Sequence, residues 1–236
     1  MKQSWSIVVF CYNEVGTVKE IIDLICVIFD GCNPGHYEVI VVDDGSTDGS
    51  REKIQAAAKL RPDVVRVIQH EKNLGIGETL RDGYAAAKNE NLTAIPADGQ
   101  FNVRELVPYI HIENNTFVSF YRLENAQYTT FRNFLSVINK KINRIFNGIT
   151  LKDVNWVKIY KTEAVKSFDW KLHSSLIESE ICAKLLKSGH QAIEVISYYH
   201  PRVSGVSKGA SFKIVSKALL ETIKLISITS RFHPNT

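Results

Sequence analysis

The chain has 236 residues, of which 44% are hydrophobic and 23% are charged, as in an ordinary globular protein of about one α/β domain. No apolar run approaches the roughly 18 residues of a membrane-spanning helix, and the N-terminal residues lack the apolar stretch and cleavage site of a secretory signal. None of the four cysteines belongs to a CxxC pair. The composition therefore predicts a cytoplasmic protein with reduced, mostly buried thiols.

The net charge of +4 is unevenly distributed along the chain. Residues 131–161 carry a net +6 and residues 202–236 a net +5, so the remaining residues carry −7. Such basic segments suit an anionic partner, namely phosphates, a membrane surface or nucleic acid. A solvated basic face explains the same charges, and composition leaves both interpretations open.

Short apolar runs in the first hundred residues predict four strands. They lie at 6–10, 38–42, 64–69 and 92–95. Between these strands, apolar residues recur at helical spacing. This alternation predicts an α/β fold with a mostly parallel sheet and helices on both faces. Ligands of such sheets bind beyond the carboxyl ends of the strands.

The second half of the chain is less regular. An apolar stripe over 131–149 predicts a helix that packs against the core, with membrane contact as the alternative. Residues 154–160 predict a strand, and 177–189 predict a helix that ends at Gly189. Residues 212–228 form an apolar, basic helical pattern.

Polar clusters follow three of the predicted strands. They are Tyr12-Asn13-Glu14, Asp43-Asp44 and Asp98-Gly99-Gln100. In a parallel sheet these clusters meet at one edge, where four acids repel each other unless a cation or hydrogen-bond donors compensate. A single cluster is equally well explained as a turn, but three in register predict a site. An isolated carboxylate beside an amide oxygen suits Mg²⁺ or Mn²⁺.

Four segments in this order carry a resemblance to a known family. They read FCYNE (10–14), VVDDGSTDGS (41–50), NLGIGETLRDGYAAA (73–87) and PADGQ (96–100). Over roughly residues 5–210, the chain resembles family 2 glycosyltransferases of the GT-A fold, in the dolichol-phosphate mannose synthase-like or polyprenyl-phosphate branch. The resemblance implies a GT-A domain over 1–210. Residues 211–236 would add a basic amphipathic helix and tail, within the same domain or facing a membrane.

The resemblance also implies which residues bind a nucleoside diphosphate sugar. They are Phe10, Tyr12, Glu14, Asp43, Asp44, Pro96, Ala97, Asp98, Gln100 and Arg122. Asp98, with Gln100 beside it, would hold Mg²⁺ or Mn²⁺ on the diphosphate. The sequence departs from the family pattern twice. Phe10 stands where the family usually has proline, and Pro96 replaces the first acid of the metal motif.

The resemblance further implies an inverting, in-line transfer to a polyprenyl phosphate or to a glycan or glycolipid hydroxyl. Arg202 and Lys208 would stabilise the charge that develops on the diphosphate. A lipid phosphate needs no general base, whereas a hydroxyl acceptor needs one, for which Asp153 and Glu180 are the candidates. Lys158, Glu178 and Ser207 match further family positions.

Three other functions fit parts of the same sequence. Pro96 makes a non-catalytic nucleotide-sugar binding protein conceivable. A nucleotidyltransferase would need an N-terminal glycine- and lysine-rich phosphate loop, which this chain lacks. The basic segments alone suggest a nucleic-acid binder, whose affinity would fall steeply with salt. No nucleic-acid motif supports this last function, so the sequence predicts no nucleic-acid partner. The basic C-terminal helix is a candidate for peripheral contact with an anionic bilayer.

Overall fold

The computed structural model describes residues 2–123, 141–198, 200 and 212–234, with the backbone alone over 212–219. The first half contains β1 (Trp5–Cys11), α1 (Val18–Cys32), β2 (Tyr37–Asp43), α2 (Ser50–Leu60), β3 (Val65–Gln69), α3 (Ile76–Ala86), β4 (Asn91–Pro96), a 3-10 helix (Val103–Tyr109) and β5 (Thr116–Arg122). The second half contains α4 (141–146), β6 (Lys158–Lys161), α5 (Thr162–Lys166), α6 (Ile177–Lys187), β7 (Gln191–Ser197) and α7 (Phe212–Arg231).

The described strands form one seven-stranded sheet in the order β3-β2-β1-β4-β6-β5-β7. Strands β1 to β4 are parallel to one another. Strand β6 is antiparallel to both of its neighbours, β4 and β5, and β7 is parallel to β5. The sheet is therefore mostly parallel, as the alternation of strands and helices predicts.

Apolar residues cover both faces of this sheet. Successive residues of a strand point to opposite faces, so Ile7 and Val9 of β1 pack with α1 while Val8 packs with α3 and α6. Gly83 permits the close approach of α3, because a Cβ at this position would lie 2.4 Å from a methyl group of Val8. The predicted helices on both faces are confirmed.

In the second half of the chain, the structure differs from two sequence predictions. The strand predicted over 154–160 is shorter and shifted, since only Lys158–Lys161 pair in the sheet. The apolar stripe predicted over 131–149 does not all reach the core, because Ile145 and Phe146 are 71% and 54% exposed. Residues 131–140 of that stripe lie outside the described residues.

The helix predicted to end at Gly189 is confirmed. Gly189 has a φ of +84°, and the following His190 N–H donates to the carbonyl of Leu185 at 3.0 Å. A left-handed residue with such bonds closes the last turn of a helix. Helix α7 packs beside α6, and its Leu225 is fully buried against Leu172 and Leu176, in the segment that precedes α6.

Candidate active site

The carboxyl ends of β1, β2 and β4 meet at one edge of the sheet. Phe10 is in register with Val42 on one side and with Pro96 on the other. Two backbone hydrogen bonds continue the pairing past the ends of these strands. The Asp44 N–H donates to the Cys11 carbonyl at 2.8 Å, and the Ala97 N–H donates to the Phe10 carbonyl at 3.1 Å. The register therefore brings the three polar clusters together.

A cavity of about 310 Å³ lies at this edge, and we call it the strand-end cavity. It is lined by Phe10, Cys11, Tyr12, Glu14, Asp44, Asn73, Gly75, Ile76, Thr79, Pro96, Ala97 and Asp98. Its volume is at the lower end of the range for small-molecule sites, and its place beyond the carboxyl ends is where parallel sheets bind ligands. Burial raises the pKa of the Cys11 thiol to about 12, so this wall residue is an unreactive thiol.

The Asp44 carboxylate holds the turn at 73–77, which we call the glycine turn and which forms part of the wall of the strand-end cavity. It accepts hydrogen bonds from the Leu74 N–H at 2.8 Å and the Gly75 N–H at 2.9 Å. The same carboxylate lies 2.8 Å from Nδ1 of His70. Gly45, next in the chain, has a φ of +72°, and a Cβ there would collide with the backbone of Lys72 at 2.4 Å. The acid and the glycine together position the turn.

Asp43 has a different environment from its neighbour. Its carboxylate is buried, accepts from Arg51 Nε at 2.9 Å, and accepts from the Ser46 N–H at 3.1 Å. It does not line the strand-end cavity. Of the two adjacent acids, the structure places Asp44 at the cavity wall and Asp43 behind it, in contact with α2.

Asp98 follows β4 and lines the strand-end cavity together with Pro96 and Ala97. The Gln100 N–H donates to its Oδ1 at 3.0 Å across Gly99, which has a φ of +75°. Among the described residues, no group of three or more His, Cys, Asp or Glu side chains could hold a metal ion. The Asp98 carboxylate is one oxygen ligand of the kind that hard ions such as Mg²⁺ and Mn²⁺ take in proteins.

A second cavity of about 440 Å³ adjoins the first, and we call it the adjoining cavity. It is lined by Phe10, Ile76, Leu80, Tyr84, Ala94, Pro96, Asp98, Arg122, Asn155, Trp156, Val157, Lys158, Ser175 and Glu178. Phe10, Ile76, Pro96 and Asp98 line both cavities. Asp98 thus lies on the boundary that the two cavities share.

Arg122 lines the adjoining cavity and pairs with Asp153. Its Nε lies 2.8 Å from Asp153 Oδ2, and its guanidinium lies 4.4 Å from the centre of the Trp156 ring. Asp153 also accepts from the Asn155 N–H at 3.1 Å. The Asp153 carboxylate is therefore bonded within the protein and does not line the adjoining cavity.

The two acids at the start of α6 lie in different environments, because residues two apart do not share a helix face. Glu178 lines the adjoining cavity, where it accepts from the hydroxyls of Tyr84 and Tyr160 and lies 3.6 Å from Lys158 Nζ. Burial and the Glu178 carboxylate raise the pKa of Tyr84 well above its usual range. That hydroxyl therefore keeps its proton and donates to Glu178.

Glu180 lines neither cavity. It is fully buried and accepts from the N–H groups of Lys171 and Leu172 at 2.8 to 3.1 Å, and from Lys184 Nζ at 2.5 Å. The structure thus gives this acid a role in anchoring the segment before α6. It does not place Glu180 where a general base could reach a ligand in either cavity.

Arg202, Ser207 and Lys208 lie outside the described residues. The nearest described residue is His200, two positions before Arg202. Its N–H donates to the carbonyl of Gln100 at 3.1 Å. The chain therefore reaches the Asp98–Gln100 turn immediately before the predicted basic segment.

Comparison with known proteins connects this arrangement to a family. Residues 6–172 match the sequence profile described as Glycosyl transferase family 2. The chain belongs to this family. The matched residues include the three strand-end clusters and most of the adjoining cavity, so the site coincides with the family domain.

Two curated relatives of this family 2 chain carry an undecaprenyl phosphate in their names. An undecaprenyl-phosphate 4-deoxy-4-formamido-L-arabinose transferase from Yersinia pestis is 30% identical over 218 residues, which are 89% of this chain and 64% of that protein. The Aeromonas hydrophila protein of the same name is 29% identical over 63% of this chain and 45% of its own length. The chain spans about half the length of such relatives.

Solved structures show the same fold. The glucosyl-3-phosphoglycerate synthase of Mycobacterium tuberculosis, in complex with Mn²⁺, UDP-glucose and phosphoglyceric acid, aligns with a TM-score of 0.69 at 18% identity. The alignment covers 98% of this chain and 81% of that protein. The GT-A fold expected from the sequence is therefore confirmed.

Sequence reasoning did not single out His70, which contacts the cavity-lining Asp44. It directly follows β3, and its ring lies between Asp44 and Asp82. The signal was present, since a polar residue just beyond a strand's carboxyl end marked the other clusters. A lone histidine in a turn is weak evidence without the distances.

Proposed function

We propose that this family 2 glycosyltransferase moves a sugar from a nucleoside diphosphate sugar to a polyprenyl phosphate, with inversion. The observation that carries the proposal is the meeting of two cavities at Asp98, one beside Asp44 and one beside Arg122. Two ligand sites that share a wall let a donor and an acceptor react without leaving the protein. The names of the curated relatives support the choice of a lipid phosphate.

In this proposal the strand-end cavity takes the nucleoside of the donor. Tyr12, Glu14 and Asp44 line this cavity, and Asp43 lies next to Asp44 in contact with α2. Carboxylates and aromatic rings suit the hydrogen-bonding edge and the face of a base and ribose. The diphosphate then extends toward Asp98, at the boundary of the two cavities.

A Mg²⁺ or Mn²⁺ ion held by Asp98, with Gln100 beside it, would neutralise charge on the diphosphate leaving group. The mycobacterial fold relative was crystallised with Mn²⁺. Pro96 lacks both a carboxylate and an N–H, so this chain would contribute one acidic ligand. Arg202 and Lys208, which follow the contact between His200 and Gln100, would supply further positive charge.

The bonded state of the candidate bases favours a phosphate acceptor over a hydroxyl. A hydroxyl must lose its proton to a base, whereas a phosphate is already an anion. Asp153 is bonded to Arg122 and Glu180 to Lys184, and neither acid lines the adjoining cavity. Glu178 does line it, but two tyrosine hydroxyls and Lys158 surround its carboxylate.

We also propose a peripheral contact with an anionic membrane. Ile145 and Phe146 of α4 and Leu220 and Ile223 of α7 are all more than half exposed. Among the described helices, none is long and apolar enough to cross a membrane. We expect flotation with vesicles of phosphatidylcholine and phosphatidylglycerol to recover the protein, and to fail for Leu220→Ser/Ile223→Ser. Equal recovery of both would refute the contact through α7.

The donor site is tested by calorimetric titration with UDP-, GDP- and dTDP-sugars, with and without Mn²⁺. We expect one donor to bind in a Mn²⁺-dependent way, and Asp98→Asn to weaken that binding by about 10- to 100-fold, because the ion would lose the Asp98 carboxylate as a ligand. The control is Asp63→Asn, an acid that is 72% exposed on its side chain. Binding that ignores both the metal and the Asp98 substitution would overturn the metal assignment.

Turnover separates the proposed transferase from the non-catalytic alternative suggested by Pro96. A polyprenyl phosphate is incubated with the donor that binds, and the glycosylated lipid and its anomeric configuration are measured. We expect a product of inverted configuration. Tight donor binding with no transfer to any lipid phosphate would favour a nucleotide-sugar binding protein.

A further inference from the structure

His70 is clamped between two carboxylates beside the strand-end cavity. Its Nδ1 lies 2.8 Å from Asp44 Oδ1, and its Nε2 lies 3.0 Å from Asp82 Oδ2. The imidazole is 6% exposed and Asp44 is 4% exposed, whereas Asp82 is 48% exposed on its side chain. The ring therefore connects the loop after β2 to the outer face of α3.

A neutral imidazole carries one N–H, so it can donate to only one of two carboxylates, and a carboxylate cannot donate back. The protonated ring has two N–H groups and satisfies both acids. Two further charged side chains of the described residues lie nearby: Arg51 of α2 donates to the His70 carbonyl at 3.0 Å and to the Asp43 carboxylate at 2.9 Å. The geometry thus suits the protonated ring.

We infer that protonated His70 is a positioning residue for the donor: it holds Asp44, and through Asp44 the glycine turn at 73–77, in the arrangement that binds the nucleotide. This inference rests on the proposed donor site. His70 does not line the strand-end cavity itself, whereas Asn73, Gly75 and Ile76 do. Asp44 transmits the effect because its two oxygens bond the ring and the N–H groups of Leu74 and Gly75.

The direction of the pH dependence follows from the environment of the ring. Burial lowers the pKa of His70, but the hydrogen bonds and charges of Asp44 and Asp82 raise it more, so its pKa lies above the ordinary value. The clamp is complete below the ordinary histidine pKa of about 6.5. It is lost as the pH rises through the raised pKa, because the ring then keeps a single N–H. Donor binding should weaken on the alkaline side.

The experiment measures KM for the donor and kcat between about pH 5.5 and 9.5 in the wild type, Asp82→Asn and His70→Gln. We expect the donor KM of the wild type to rise with pH while kcat changes little. Asp82→Asn removes one acid at an exposed position without touching the cavity. It should move the midpoint of the KM profile to lower pH by about one unit. His70→Gln should raise KM about tenfold and abolish this pH dependence.

His111→Gln, at an exposed histidine, and Asp63→Asn serve as matched controls and should reproduce the wild-type profile. Histidine NMR titration without any donor gives an independent readout, in which the His70 resonance should titrate above the ordinary range and move down in Asp82→Asn. Because Asp82 is half exposed, this variant tests the inference even if His70→Gln fails to fold.

The outcomes distinguish an error in the proposed donor site from an error in the role of His70. If no donor binds at any pH while His70 titrates as expected, the proposed donor site is wrong. If a donor binds but the KM profile is the same in the wild type and Asp82→Asn, the role of His70 is overturned and the donor site stands. A shift in kcat alone, with KM unchanged, would also contradict a positioning role.

Discussion

At the scale of single residues, the adjoining cavity depends on charges that are compensated inside the protein. Lys158 is 2% exposed and donates to the carbonyls of Val154 and Trp156 at 2.5 and 2.9 Å, with Glu178 at 3.6 Å. Glu178 in turn accepts from Tyr84 and Tyr160. A buried charge that loses its partner is costly, whereas the intact pair contributes little net stability.

We therefore expect Glu178→Gln to lower the free energy of unfolding by about 3 kcal/mol, because Lys158 then keeps its charge in a buried site without a counter-ion. Urea denaturation measures the change. Glu163→Gln, at an exposed glutamate of α5, is the control and should stay within about 0.5 kcal/mol of the wild type. An equal loss in both variants would show that leaving Lys158 without the Glu178 carboxylate has no particular cost.

At the scale of elements, the contact between α3 and β1 positions the glycine turn against the sheet. A Cβ at Gly83 of α3 would lie 2.4 Å from Val8, and one at Gly77 would lie 2.3 Å from the carbonyl oxygen of His173. Helix α3 thus packs closely against β1 at Gly83 and against the backbone of His173 at Gly77. The wall that it presents to both cavities, through Ile76, depends on this close packing.

Two helical glycines provide a matched test of that packing. Gly83→Ala should destabilise the fold by about 1–3 kcal/mol, since the added methyl group overpacks the interface with β1. Gly31→Ala in α1 meets nothing within 4 Å, so it should stabilise the fold by about 0.5 kcal/mol through helix propensity. Thermal and urea unfolding measure both changes. A destabilised Gly31→Ala with a neutral Gly83→Ala would refute the packing argument.

At the scale of the whole molecule, sheet order places the two cavities side by side. Strand β6 inserts between β4 and β5 and runs antiparallel to both. This insertion brings Lys158, at the start of β6, close to Arg122, at the end of β5, and to Asp98, just beyond β4. Residues more than twenty positions apart thereby share one cavity wall.

Much of this arrangement was predictable from local patterns. The strands of the first half, the helices between them and the convergence of polar clusters at one edge follow from hydrophobic periodicity and turn residues. These signals are local, because each depends on neighbours within one element. The shortened β6 and the exposure of Ile145 and Phe146 were not predictable, since a strand needs a partner and an apolar stripe needs a surface to cover.

The amino-acid sequence by itself determined the fold class, the family and the edge of the sheet where the polar clusters meet. Only the tertiary structure decided which acids reach the cavities. It separated Asp44 from Asp43 and Glu178 from Glu180, and it brought His70 between Asp44 and Asp82. The reason is physical: a side chain's role depends on partners that are distant in the chain, and those partners are set by packing rather than by spacing.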